Sequence, residues 1–196
     1  MYKNFIKRFL DIILSLVALI ILFIPMLILG LIIYFEDRGN IFFTQKRIGI
    51  NKKIFNMYKF RSMKLNTPHD VPTHLLKNPE KYILKSGKWM RKFSLDELPQ
   101  LFNILIGDMS IVGPRPALWN QDDLISERDK YNANNIKPGL TGWAQVNGRD
   151  ELEINIKAKY DGEYIKRESF LFDLYCIFRT FIKVVKHDGV HEGGIK

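Results

Sequence analysis

From Ile12 to Phe35 the chain carries no charged residue, and nearly every position is Ile, Leu, Val, Ala, Phe or Met. About 20 apolar residues suffice for a helix to cross the hydrocarbon of a bilayer, so this stretch is long enough to do so. It is too long for a cleaved signal peptide, and no small-residue cleavage site follows it. Two features complicate a simple crossing. Pro25 sits mid-segment, where it removes a backbone hydrogen bond and clashes with the carbonyl four residues back, which predicts a sharp bend. Basic residues, which mark the cytoplasmic side of a membrane, flank both ends: Lys3, Lys7 and Arg8 before, Arg38, Lys46, Arg47, Lys52 and Lys53 after. A kinked single span and a helix-break-helix that re-enters its own face both satisfy the hydropathy.

The rest of the 196 residues reads as one soluble domain with a polar surface. A net charge of +9 favours anionic partners such as phosphorylated small molecules or anionic lipid. No nucleic-acid motif accompanies it, and no basic patch is interleaved with stacking aromatics, so nucleic acid is not an expected partner. Cys176 is the only cysteine, which rules out an internal disulfide and suits a reducing compartment. His69, His74, His187 and His191 do not form a convincing metal set.

Two runs rich in aromatic and β-branched residues, 41–45 and 54–63, predict strands joined by a turn at Gly49-Ile50-Asn51-Lys52. In the second run Phe55, Met57, Lys59 and Arg61 share a face, so two cations are expected to project together. Residues 66–79, with three prolines, read as loop. Segments 118–132 and 151–165 read as helices. Towards the end Leu171, Leu174, Ile177, Phe178, Phe181, Ile182 and Val185 recur at helical spacing among basic residues. That pattern fits a core helix or an amphipathic helix lying in a lipid interface.

Chemistry is concentrated in Arg91-Lys92-Phe93-Ser94-Leu95-Asp96-Glu97-Leu98-Pro99-Gln100. It places two adjacent carboxylates near the start of a helix that runs to about Ile106. Ser94 and Glu97 have the capping-box spacing, so the acids could serve only the helix terminus. A cap needs one acid, however, and a second carboxylate in so basic a chain also suits transfer of a phosphate-bearing group, one acid attacking while the other holds a metal. Further on, Gly113-Pro114-Arg115-Pro116 brackets an arginine with two prolines. This could be an ordinary surface loop, or a rigidly presented guanidinium for bidentate phosphate binding. The glycine-punctuated Lys137 to Arg149 lacks the spacing of a P-loop and ends on another cation.

Taken together, the central proline of the apolar segment, Tyr58-Lys59-Phe60-Arg61-Ser62-Met63, the Ser94–Leu101 run, Gly107–Pro116 and Pro138–Arg149 occur in an order that resembles the small monotopic polyprenyl-phosphate phosphoglycosyl transferases of the bacterial sugar transferase family. The resemblance covers essentially the whole chain. One departure is Ile24, where such proteins often carry serine before the proline. The fold it implies is α+β and mostly helical: a re-entrant membrane hairpin over residues 1–36, then a compact cytoplasmic domain over 37–196 with a small β-hairpin and interfacial amphipathic helices. The implied reaction moves a sugar-1-phosphate from a UDP-sugar, an N-acetylated deoxy sugar by preference, to undecaprenyl phosphate. By the same resemblance Asp96 is the nucleophile, Glu97 the ligand of Mg²⁺, Lys59, Arg91, Arg115 and Arg149 the phosphate-binding cations, and Pro25 the membrane break. The implied site of action is the inner leaflet of a bacterial cytoplasmic membrane, at the first step of capsule, exopolysaccharide or glycan assembly, with downstream glycosyltransferases as partners. A membrane-tethered scaffold without chemistry is the competing class; it would have no need of Asp96 and Glu97. A basic nucleic-acid binder would leave the apolar segment unexplained.

Overall fold

A computed structural model describes residues 2–67, 79–148 and 152–186. After a π-helical turn at Tyr2–Ile6, helix α1 runs from Lys7 to Glu36. At 1.5 Å per residue it is about 45 Å long. Its buried residues, Asp11, Ser15, Met26, Leu29, Gly30 and Ile33, continue one stripe through the half-buried Leu19 and Leu22. Ile20, Ile21, Phe23, Ile24, Leu27 and Ile28 point the other way and are exposed. The helix is unbroken at Pro25, which corrects the expected helix-break-helix. Leu22 just before the proline and Met26 and Leu29 just after it pack on one core, with Phe60, Leu84 and Met90. That packing carries the helix on through a position that forfeits a single backbone hydrogen bond.

Strands β1 (Phe42–Ile48) and β2 (Ile54–Phe60) form the expected antiparallel hairpin, closed by a 3-10 turn at Ile50–Lys52. Helix α2 (Lys85–Lys92) leads into a 3-10 turn at Leu95–Glu97 and helix α3 (Gln100–Ile106). Phe55 and Met57 of β2 bury against Leu101 and Ile104 of α3, together with Met109. Helices α4 (Asp122–Asp129), α5 (Trp143–Asn147), α6 (Ile154–Arg167) and α7 (Phe170–Lys186) complete the domain. The predicted helices at 118–132 and 151–165 are therefore present with shifted ends. The 66–79 loop falls almost wholly outside the described residues, as do all four histidines.

A second sheet is absent from the sequence reading. Strands β3 (Ser110–Val112) and β4 (Gly139–Thr141) pair in parallel, three residues each. Glycine permits the approach: a Cβ on Gly139 would sit 2.1 Å from the Gly113 nitrogen, and one on Gly142 2.0 Å from the Gly113 oxygen. This pairing seats Pro114-Arg115-Pro116 beside the segment that begins at Lys137 and Pro138.

Helix α7 buries Phe172, Asp173 and Cys176 but leaves Leu171, Leu174, Phe178, Phe181 and Val185 exposed at helical spacing. The core alternative for this helix thus applies to one face only. Asp173 ties the helix to the start of α1 through an ion pair with Lys7 and hydrogen bonds from the hydroxyls of Tyr2 and Tyr164.

Candidate active site

Asp96 and Glu97 lie in the 3-10 turn before α3 rather than in its first α-helical turn, and both are buried. Pro99 stands at the N-cap of α3, a place its fixed φ and missing N–H tolerate. The capping box does not form: Ser94 adopts a left-handed conformation and makes no side-chain cap bond. Two buried acids that do not serve as caps need another reason to be there.

Cations supply part of that reason. The Lys59 ammonium donates to Glu97 Oε1 at 2.8 Å, and Arg115 Nη2 donates to the same oxygen at 3.2 Å. Lys59 arrives from β2, Arg115 from the proline-stiffened segment after β3, and the acid from between α2 and α3. Three separate parts of the chain therefore meet at one carboxylate oxygen. Arg61, expected to project with Lys59, turns elsewhere: it pairs with Asp37 at the end of α1 and donates through Nε to the Asn40 carbonyl at 2.6 Å. Arg149 lies outside the described residues.

Burial holds the Asp96 carboxyl above the usual carboxylate range. Lys59 draws it back down, the adjacent Glu97 charge pushes it up, and Arg91 pulls it down again. Arg91 Nη1 is buried with no hydrogen-bond partner among the described residues, and so is Gln100 Nε2, on the first residue of α3. Buried donors without acceptors are costly. Of the two, Arg91 acts electrostatically on Asp96, so an anionic ligand oxygen at this carboxyl is a fitting acceptor for its Nη1. Among the described residues no three His, Cys, Asp or Glu side chains gather into a metal cage. Mg²⁺ needs no such cage, since it is held by one or two carboxylates together with substrate phosphates. The Asp96–Glu97 pair fits that requirement.

The sequence reading missed two residues that hold this site together. Asn103 is fully buried: its Oδ1 accepts from the Tyr58 amide at 2.9 Å and its Nδ2 donates to the Asn56 carbonyl at 2.8 Å. It thereby pins α3 to the strand that carries Lys59. A polar residue inside an otherwise apolar helical run, LFNILI, was the available signal. Asn103→Ala leaves both backbone groups unpaired, at about 1–3 kcal/mol each. Thermal unfolding of the purified variant should fall accordingly; an unchanged midpoint would remove Asn103 from this role. The second residue is Glu36, the last of α1, whose carboxylate accepts from the Lys85 and Ser86 amides at 2.5 and 3.0 Å. It caps α2, the helix that carries Arg91, so the end of the apolar helix and the candidate site are mechanically joined.

A buried aspartate, a neighbouring glutamate and converging cations thus form one cluster in a domain that also carries a long apolar helix. The chain belongs to the bacterial sugar transferase family, whose model matches residues 2–187. It is 41% identical to the uncharacterized sugar transferase EpsL of Bacillus subtilis, over 78% of this chain and 73% of that protein. It is 37% identical to the UDP-glucose:undecaprenyl-phosphate glucose-1-phosphate transferase of Xanthomonas campestris pv. campestris, over 91% of this chain and 38% of that one. Identity to the UDP-N-acetylgalactosamine-undecaprenyl-phosphate N-acetylgalactosaminephosphotransferase of Aeromonas hydrophila is 38%, over 90% of this chain and 43% of that protein. The chain thus spans less than half the length of these last two relatives.

Proposed function

We propose that this protein transfers a sugar-1-phosphate from a UDP-sugar to undecaprenyl phosphate, releasing UMP. The observation that carries the reading is the buried Asp96 beside a Glu97 that gathers Lys59 and Arg115, in a family that includes relatives named for transfer to that acceptor. In the proposed sequence an Asp96 oxygen bonds to the β-phosphorus and the bond from that phosphorus to the bridging oxygen breaks. UMP departs with the bridging oxygen, leaving a phosphosugar on the aspartate. An oxygen of the lipid phosphate then displaces Asp96 from the same phosphorus. Lys59, Arg91 and Arg115 offset the repulsion between carboxylate and phosphate, and Arg149 is assigned to the same task. Mg²⁺, held by Glu97, would supply further neutralisation of the pyrophosphate when bound. The sugar favoured is an N-acetylated deoxy sugar. Screening UDP-sugars for UMP release that depends on undecaprenyl phosphate tests the reading; silence across the panel would sink it.

The pH profile gives a second check. A carboxyl held above its ordinary range is protonated, and so not nucleophilic, up to a higher pH than usual. Removing the neighbouring charge in Glu97→Gln should lower the Asp96 pKa and move the acid limb of protein labelling by a β-³²P-labelled UDP-sugar to lower pH. A limb that stays in place would belong to another group.

The proposed location is the cytoplasmic face of the bacterial inner membrane, with residues 1–36 as the membrane element and 37–196 as the catalytic unit feeding capsule, exopolysaccharide or glycan assembly. Support comes from packing. One end of α1 is fixed to the domain by Arg8, which donates to the Ile104 and Leu105 carbonyls, and by Asp11, which accepts from the Ile111 amide. The other end is fixed to the same domain by Glu36 and Asp37. A helix held at both ends by one compact body supports the reading in which both ends stay on one side of the bilayer. The outward apolar face of α1 and that of α7 are the surfaces assigned to lipid. Cysteines placed at positions 3 and 38, in a Cys176→Ser background, should both react with a reagent confined to the cytoplasmic side. Reaction from opposite sides would restore a true span.

A further inference from the structure

One cavity among the described residues lies apart from Asp96. It is an open hollow of about 670 Å³ lined by Trp143, Arg167, Ser169, Leu171, Phe172 and Tyr175, where α6 ends and α7 begins. None of the carboxylates or cations of the candidate active site lines it. Arg167 gives it its chemistry. The guanidinium carbon lies 4.1 Å from the Phe172 ring centre and 5.4 Å from that of Trp143. Stacking of this kind holds the guanidinium plane while its N–H edge remains available for an anion. Nearby carboxylates already have other partners. Glu163 accepts from Trp143 Nε1 at 3.0 Å, Glu168 pairs with Lys3 at 3.3 Å, and Asp173 is held by Lys7 and two tyrosine hydroxyls. Arg167 forms no ion pair among the described residues.

We infer that this hollow is a binding site for a single anionic phospholipid, its phosphate on Arg167 and Ser169 and its chain running along α7. This rests on the proposed membrane association but not on the proposed chemistry. Continuity argues for a lipid: Leu171 on the rim is 74% exposed, and Leu174, Phe178, Phe181 and Val185 prolong the same apolar stripe away from it. A phosphate at one end of a hollow and an apolar track leading off the other match the two parts of such a lipid. A nucleotide fits less well, because the rings that would stack on a base are engaged. Arg167 covers Phe172 and Trp143, and Tyr175 is packed by Arg179, which also donates to its hydroxyl at 3.1 Å.

The chain has three tryptophans, so Trp89→Phe with Trp119→Phe leaves Trp143 as sole reporter inside the hollow. Mixed with vesicles of brominated phosphatidylglycerol, this protein should be quenched several-fold more strongly than with vesicles of brominated phosphatidylcholine. Adding Arg167→Gln should erase the preference while labelling of Asp96 by a nucleotide sugar persists. Equal quenching by both lipids, or a preference that survives Arg167→Gln, overturns the inference. So does reversal by inorganic phosphate, which would make the ligand a soluble anion, or by UMP, which would join the hollow to the donor site. Vesicle binding without headgroup preference defeats this inference alone, whereas no vesicle binding at all defeats the membrane reading as well.

Discussion

Asp96→Asn should abolish turnover, by at least about 1,000-fold, because the amide that replaces the carboxylate is no nucleophile towards phosphorus. It should also abolish covalent labelling when the protein meets a β-³²P-labelled UDP-sugar without lipid acceptor. Equal labelling in wild type and variant would exclude Asp96, and steady-state kinetics of a ternary complex with no labelled protein would exclude the two-step scheme. Stability should move in the opposite sense. A carboxyl whose folded pKa is raised loses stability as pH climbs from its unfolded value through the folded one, so at neutral pH the ionised Asp96 destabilises the fold. Replacing it with a neutral isostere removes that penalty. The inactive variant is therefore expected to melt at a higher temperature than the wild type at pH 7, and at a similar temperature in acid. Gain of stability with loss of activity marks a group kept for its chemistry.

Arg115→Ala is expected to cost about 100- to 1,000-fold in kcat, the scale seen when one preorganised charge partner of a transition state is removed. Its position is held from both sides by proline, and from beneath by the β3–β4 pair, so truncation should alter chemistry more than folding. Arg115→Lys retains charge but loses the planar fork that matches two phosphate oxygens; only partial recovery should follow. Turnover within a few-fold of wild type in the alanine variant, with the protein still folded, would reduce Arg115 to a structural partner of Glu97. Lys59→Ala offers a comparison, since it shares the same glutamate oxygen but comes from a different element.

The parts of this molecule set by local pattern were legible in the residues. Two runs rich in aromatic and β-branched residues on either side of Gly49-Ile50-Asn51-Lys52 predict the hairpin, and the apolar run predicts α1. Asp96, Glu97, Lys59 and Arg115, singled out far apart in the chain, do come together. Long-range competition decided the rest. Lys59 lies on β2 and Arg61 just past its end at the spacing of one face, yet the end of α1 captures Arg61, and no periodicity foretells that. Ser94 has the spacing of a capping residue, but its backbone is left-handed. The break at Pro25 follows from local sterics and is overridden by packing on either side of it. Strands β3 and β4 are too short to register a two-residue period, and only their glycines hint that two backbones pass within contact. Glu36 and Asn103 act through partners more than 40 residues away.

The cap that Glu36 places on α2 bears on protein engineering. Deleting the greasy N-terminal helix is the obvious route to a version that dissolves without detergent. Here the cut would strip two amides of their acceptor, remove the helix end that sets Asp37 against Arg61, and lay bare Met90, Leu84 and Phe60. The apolar helix is part of the scaffold, so redesigning its outward face with polar residues is the safer path to solubility than removing it.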